Sequence, residues 1–393
     1  MKKNPYYRLK RINGVPYLLA FGQGNADFCL DISLNETGAF LWEQIDYADT
    51  PKELVELCKR HYEPTDEEYP SMAKAVSNFI TDLYFRGALL PENTPKQNEA
   101  AHKTLQIAGL YLKIFGPEEM LSSDILSFEA DTFPMDDAPI YKVHICSDKP
   151  PHFETGKLLL HNKSLSVAEC DDRFVCFFPA FNYVEAVHIY KDDLSLWIYL
   201  AKGLSSSQKE NAILQEEISY ALRTYFFYLA QTRNMLAVHS SSILYKDKIW
   251  LFSAPAGTGK STHANLWHKV LDVPVINGDL NLIDTKGDVP TVRGIPWCGT
   301  SGIYDKKTYP LGGIILLAQG PDNVVSNLSK DQKALRLLHR ALSPSWTKTL
   351  QNDNLRMIES IEKNIFICHY ACTKNMNSVT VLQNAIDETF QCC

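Results

Sequence analysis

Ala254-Pro-Ala-Gly-Thr-Gly-Lys-Ser-Thr262 is the stretch on which the reading of this chain turns. It follows the apolar run Ile249-Trp-Leu-Phe252 and leads into a helical pattern from Thr262 to Val270. An apolar strand, a glycine-rich turn, Lys-Ser and a helix are the framework of a phosphate-binding loop. Backbone N–H groups of such a loop converge on an anion, and the helix N-terminus adds positive potential. Gly257, Thr258, Gly259, Lys260, Ser261 and Thr262 are the expected nucleotide-binding residues. Lys260 is placed to reach the terminal phosphates and the Ser261 hydroxyl to hold Mg²⁺. The usual pattern opens on glycine; here that place holds Ala254, which fits if its φ is negative. The expected ligand is a nucleoside triphosphate with Mg²⁺: ATP, with GTP left open because no base-reading motif is visible.

The length of 393 residues suggests two or three domains at ~150 residues each. A hydrophobic share of 45% with 22% charged residues is that of an ordinary globular protein. No apolar run reaches the ~20 residues that span a bilayer. The basic start Met-Lys-Lys-Asn-Pro is not followed by a signal-type apolar core. The expectation is a cytoplasmic protein without a membrane partner. The ten cysteines lack framework spacing and read as reduced thiols. Cys368 and Cys372 flank His369, but no second pair lies at zinc-finger spacing. A net charge of −7 argues against a general nucleic-acid partner.

Around the loop, further residues suit phosphoryl chemistry. Ala237-Val-His-Ser-Ser-Ser-Ile-Leu244 precedes the loop strand across a turn at Lys246-Asp-Lys248. Val273 to Ile283 reads as strand, Gly278-Asp279 turn and strand. An acid at a strand end beside a phosphate loop can hold Mg²⁺ or accept a hydroxyl proton, so Asp279 joins Ser261 as an expected metal ligand. Arg293, in Arg293-Gly-Ile-Pro-Trp-Cys-Gly-Thr-Ser301, could grip phosphoryl oxygens in a guanidinium fork or serve an ordinary surface role. The apolar strand Gly313 to Leu317 follows.

Val238-His239-Ser, Gly257-Thr-Gly-Lys-Ser-Thr262, Gly278-Asp279, Gly299-Thr-Ser301 and the helical run Leu335 to Leu342 come in an order that resembles the HPr kinase/phosphorylase superfamily, related to phosphoenolpyruvate carboxykinase. The resemblance implies that Asp279 is the general base toward a serine hydroxyl and that His239 supports it; Lys260 of the loop and Arg293, each on its own chemistry, complete the expected catalytic set. The bifunctional enzymes carry two adjacent aspartates; here the first position is Gly278. That departure removes the support for a phosphorylase activity, and the carrier HPr is not the expected substrate.

Residues 1–92 read as a separate α+β module. Tyr7 to Ile12 and Val15 to Phe21 flank an Asn13-Gly14 hairpin turn, and Asp27 to Ile32 reads as a third strand. Ser33…Glu36, Thr50…Glu53 and Thr65…Glu68 have capping-box spacing for three helices, the third delayed by Pro70. Met72, Val76, Phe79, Ile80 and Leu83 form its apolar stripe, Gly87 a C-cap, and Ala88 to Leu90 a short strand. Ile32-Ser-Leu-Asn-Glu-Thr-Gly-Ala-Phe-Leu-Trp42, Thr50-Pro-Lys-Glu-Leu-Val55 and Arg86-Gly-Ala-Leu-Leu90 resemble the PqqD-like peptide-recognition domains of ribosomal peptide-modifying systems. The resemblance implies that a precursor's leader peptide adds beside the third strand, at Phe28, Cys29, Leu30, Asp31 and Ile32. It would pack on the third helix at Lys74, Ser77, Asn78 and Thr81. A DNA-binding winged helix is the other reading, which 10 Lys/Arg against 14 Asp/Glu in residues 1–92 disfavours.

Residues 93–104 read as a polar linker, and 105–235 as a β-rich lobe or the front half of a kinase domain. A long helix is expected over Asn211 to Leu236. Residues 236–393 form the phosphate-loop domain. The expected fold is therefore α+β and α/β: a winged-helix-like PqqD module of three strands and three helices, then an HPr-kinase-like domain with a β-rich lobe. The expected function is an ATP-dependent kinase acting on a Ser or Thr hydroxyl of a leader-recruited precursor peptide. A nucleotide-gated peptide chaperone and a small-molecule kinase remain alternatives, and homo-oligomerisation is left open.

Overall fold

The strand Lys248–Ser253 sends its side chains alternately into two different cores. Ile249 and Leu251 pack with helices Lys330–Leu338 and Lys348–Asn364, while Trp250 and Phe252 pack with helices Lys260–Leu271 and Asn377–Gln391. A strand covered on both faces must be apolar at every position, which is why this run is continuous rather than alternating. The computed structural model from which these contacts are taken describes residues 1–4, 7–20, 31–48, 50–86, 88–90, 102–131, 139–147, 150, 156–201 and 208–391.

The chain forms two units, residues 1–104, 112–122 and 134–221 in one and 105–111, 123–133 and 222–393 in the other. In the second unit the sheet order is Met235–His239, Leu280–Asp284, Thr291–Arg293, Thr308–Gln319, Lys248–Ser253, Ser241–Tyr245, Val275–Asn277. Phe366–Cys372 adds to the long strand Thr308–Gln319 and also pairs with Val324–Asn327. Lys248–Ser253, Thr308–Gln319 and Phe366–Cys372 run parallel, so their carboxyl ends share one edge. In α/β sheets that edge is where ligands collect.

Two helix expectations are corrected here. The long helix spans Gln208–Thr232 and stops before Leu236, because Asn234 adopts φ 61° and Met235–His239 becomes a strand. The run expected over Leu335 to Leu342 is instead helix Lys330–Leu338, opened by a Ser329–Gln332 capping box. Ala341 leaves that helix to bridge Val238.

In the first unit Tyr7–Ile12 and Val15–Ala20 pair as a hairpin through Asn13 and Gly14, both at positive φ. The described part of the third strand is Ile32–Ser33, paired to Tyr17 and Leu18. Helix Glu36–Gln44 begins from Asn35, whose Oδ1 accepts from the Gly38 N–H at 2.7 Å, and not from Ser33. Glu36 is taken instead by Arg11 at 2.7 Å. Thr50 caps helix Pro51–Tyr62. Thr65 and Glu68 bond reciprocally, but the helix itself runs Tyr69–Phe85, one turn late with Pro70 in its first turn. Leu89–Leu90 closes the module by pairing with Lys2–Lys3.

The module's core does not end at its last strand. Leu54, Val76, Ile80, Leu83 and Tyr84 belong to one buried cluster with Val175, Phe177, Ala186 and Tyr199. Those four lie on one face of an antiparallel run of strands: Leu196–Leu200, Val184–Tyr190, Arg173–Phe177, Ser166–Glu169 and Lys157–His161, in that order. A small domain of three short strands and three helices buries too little of its own surface to be comfortably stable, and the sheet supplies the rest.

Candidate functional site

The phosphate loop ends strand Lys248–Ser253 and starts helix Lys260–Leu271 at the carboxyl edge of the parallel strands. Gly257 and Gly259 take φ 75° and 113°, left-handed conformations that turn successive N–H groups inward. A side chain on Gly257 would meet no neighbouring atom, so the loop is an open cradle. Ala254 is buried under it, and Pro255, Ala256, Ser261 and Thr262 are exposed. Lys260 is 7% exposed, and its Nζ donates to the Ala254 carbonyl at 3.3 Å, inside the loop where phosphates would lie. Burial lowers its pKa, Asp279 opposes that shift, and Arg340 adds to it.

Opposite the loop, His239 Nδ1 and Asp279 Oδ1 are 3.3 Å apart. The pairing has a backbone cause. His239 lies opposite Leu280 in the antiparallel strands Met235–His239 and Leu280–Asp284, which places Asp279 at the mouth of that pair. Both side chains keep about a third of their surface open, 27% and 34%, so an incoming hydroxyl can reach them. The histidine's pKa is lowered, first by burial and then by Lys260, with Asp279 pulling the other way. That shift favours the neutral imidazole over the imidazolium.

Ser261 Oγ lies 3.4 Å from the Gly278 carbonyl and 3.4 Å from Ser241 Oγ, next to Asp279 in the chain. One hydroxyl and one carboxylate are the protein share of a Mg²⁺ shell completed by phosphates and waters, so these residues fit Mg-nucleotide. Among the described residues no group of three or more His, Cys, Asp or Glu could hold a metal by itself.

Gly278 has a steric reason that the sequence does not display. A side chain there would collide with Ser301 Oγ. A Cβ added to Gly299, at φ 61°, would come within 2.9 Å of the Asp279 carboxyl. The short helical turn Gly299–Ser301 thus occupies the space that a second acid would need.

The structure gathers Lys260, Ser261, His239 and Asp279 but places Arg293 elsewhere. Its guanidinium holds Asp284 at 2.7 and 3.1 Å. Asp284 closes the strand that Asp279 precedes, five residues and ~16 Å along the chain. That pairing fits the ordinary role left open for Arg293 rather than a grip on phosphoryl oxygens. Arg340 is the cation that sequence reasoning missed. Its carbonyl accepts from the His239 N–H at 2.9 Å, and its charge acts on both Lys260 and His239. The Val238–Ala341 bridge, with the backbone bonds His239 N–H to Arg340 and Leu342 N–H to Ala237, brings it beside His239, and no local motif announces it.

Of the expected peptide-binding residues, Phe28, Cys29 and Leu30 lie outside the described residues. Asp31 is exposed and Ile32 buried in the core. Lys74, Ser77, Asn78 and Thr81 share one side of helix Tyr69–Phe85, Lys74 exposed and the others half-buried.

Residues 31–89 match the family described as Coenzyme PQQ synthesis protein D (PqqD). The chain therefore carries a PqqD domain, a recognition element for ribosomally made, post-translationally modified peptides, and this supports a role in precursor-peptide recognition. No curated protein matches the chain. No helix among the described residues is long and apolar enough to cross a membrane.

Proposed function

We propose that this protein is an ATP-dependent kinase that phosphorylates a Ser or Thr hydroxyl of a precursor peptide recruited through its PqqD domain. The observation that carries the reading is the His239–Asp279 pair beside the Lys260 loop. A nucleotide hydrolysis motor needs only a positioned water, whereas a carboxylate–imidazole pair open to solvent suits deprotonation of an alcohol.

ATP bound with Mg²⁺ would supply the γ-phosphoryl group, its bond to the departing ADP oxygen breaking as the acceptor oxygen bonds, and Mg²⁺ would offset part of the phosphate charge. Lys260 leaves the Ala254 carbonyl for the phosphate oxygens, and the loop N–H groups fix them. Asp279 orients the acceptor hydroxyl and takes its proton, with the neutral imidazole of His239 sharing it. Lys260 and Arg340 together offset the charge that gathers on the transferring group.

The test uses the full chain with ATP, Mg²⁺ and a PqqD-recognised precursor peptide. The expected product is that peptide heavier by one phosphate. Asp279→Asn should slow its formation by about 10²-fold or more while nucleotide binding persists. Nucleotide-dependent peptide release with no phosphate gain would instead establish a chaperone, and turnover on a small metabolite that survives loss of peptide binding would establish a small-molecule kinase.

A further inference from the structure

Helix Tyr69–Phe85 crosses one rim of the sheet over residues 157–201, and two hollows remain between helix and rim. The first, about 450 Å³, is bounded by Ala73, Lys74 and Ser77 on the helix and by Tyr183, Glu185 and Ala201 on the rim. The second, about 420 Å³, is bounded by Asn78, Thr81 and Asp82 and by Lys163, Ser166 and Phe177. Thr81 borders both.

The rim residues belong, in spatial order, to the strands ending or starting at 200, 184, 177, 166 and 161. Five strands at a spacing of ~4.8 Å span roughly 19 Å. Helix residues 70 to 82 span about 18 Å at ~1.5 Å per residue. The two hollows are thus successive parts of one trough, long enough for about six residues of extended chain at ~3.3 Å each.

Its chemistry suits a peptide. Asn78 Oδ1 is buried and has no hydrogen-bond partner among the described residues, an acceptor that a turn of its side chain toward the trough would offer to the N–H of an extended backbone. Lys52 and Lys74 stand with Glu185 and Glu210 around the first hollow, a mixed field that does not select for a polyanion.

We propose that a leader-type peptide segment of about six residues lies extended in this trough. Residues beyond the PqqD match, Lys163, Glu185 and Ala201 among them, then read the same peptide as the helix does. The inference rests on the peptide-recognition reading of the PqqD domain and adds a second wall to it.

A random-sequence peptide library displayed on phage and selected on the full chain supplies the probe. Selected peptides, fluorescently labelled, are titrated by anisotropy against the wild type, Thr81→Trp, Ala201→Trp and Lys163→Glu. Each tryptophan fills part of the trough, and Lys163→Glu alters an exposed hairpin tip with little threat to folding. The expected result is a rise in Kd of about tenfold or more for both tryptophan variants and a smaller rise for Lys163→Glu. If Ala201→Trp fails to fold, Lys163→Glu alone decides. Weakening by Thr81→Trp with wild-type affinity in the folded rim variants overturns the trough while leaving peptide recognition intact. Failure to select any binding peptide overturns both.

Discussion

The sheet that carries the phosphate loop and the hairpin that opens the chain solve the same problem in opposite ways. In the first, strand Lys248–Ser253 is buried at five of six positions, with helices from later sequence closing both faces. In the second, strand Tyr7–Ile12 buries only Tyr7 fully, and Ile12 and Val15 at the hairpin tip stay 49% and 41% exposed. The half that carries the glycine-rich loop encloses its own core, whereas the PqqD domain completes its core on the sheet that follows it in sequence. A domain built that way is no bead on a string: the helix expected to hold a peptide is also the helix that joins it to the sheet. Rigid support fits precise chemistry at the loop, and a helix lying over a neighbouring sheet leaves a trough that a flexible ligand can enter.

Phe177→Ala strikes that comparison hardest. Phe177 is 2% exposed and sits in the shared cluster, so its loss should destabilise the unit by about 3–5 kcal/mol, read from urea unfolding. It should also speed amide hydrogen exchange in helix Tyr69–Phe85. Unchanged exchange in that helix would mean that the PqqD domain stands alone.

A smaller effect probes the self-contained half. Gly278→Ala drives a methyl group into Ser301 and should cost roughly 1–3 kcal/mol. Ser301→Gly should restore most of it and Ser301→Ala should not, because Ser301 Cβ itself collides with the added atom. Equal rescue by both would place the strain elsewhere.

The mildest test uses pH and reads both halves at once. Burial pushes the pKa of His144, in the first unit, and His263, in the second, from 6.5 down to about 4. Between those values the unfolded chain binds protons that the folded chain refuses, so stability should fall as pH drops from about 6.5 toward 4 and level off below. His263 Nε2 accepts from the Trp267 indole N–H at 3.1 Å, which requires the neutral ring. His263→Gln keeps an acceptor for Trp267 and should flatten part of the slope in thermal unfolding between pH 7 and 4. An unchanged slope would remove His263 from the account.

Much of the local architecture was legible because its causes are local. The Asn13-Gly14 turn, the Thr50 cap with Pro51 behind it, the Pro70 delay and the loop strand each depend on a few adjacent residues. Ser33 misled as a cap because Asn35, two residues on, bonds the Gly38 N–H and Glu36 is drawn off to Arg11. The partner of Arg293 was not legible for a similar reason: a guanidinium goes to the carboxylate that folding puts beside it, and that was Asp284.

The sequence by itself determined the loop, the order of His239, Lys260 and Asp279, and the PqqD pattern, since each is written in neighbouring residues or short strands. Only the tertiary structure decided that the Arg340 charge acts on Lys260 and His239, that Ser301 excludes a side chain at position 278, and that helix Tyr69–Phe85 shares its core with Phe177 and Tyr199. These contacts join residues far apart in the chain, and their partners are selected by strand order and steric fit, which no local pattern encodes.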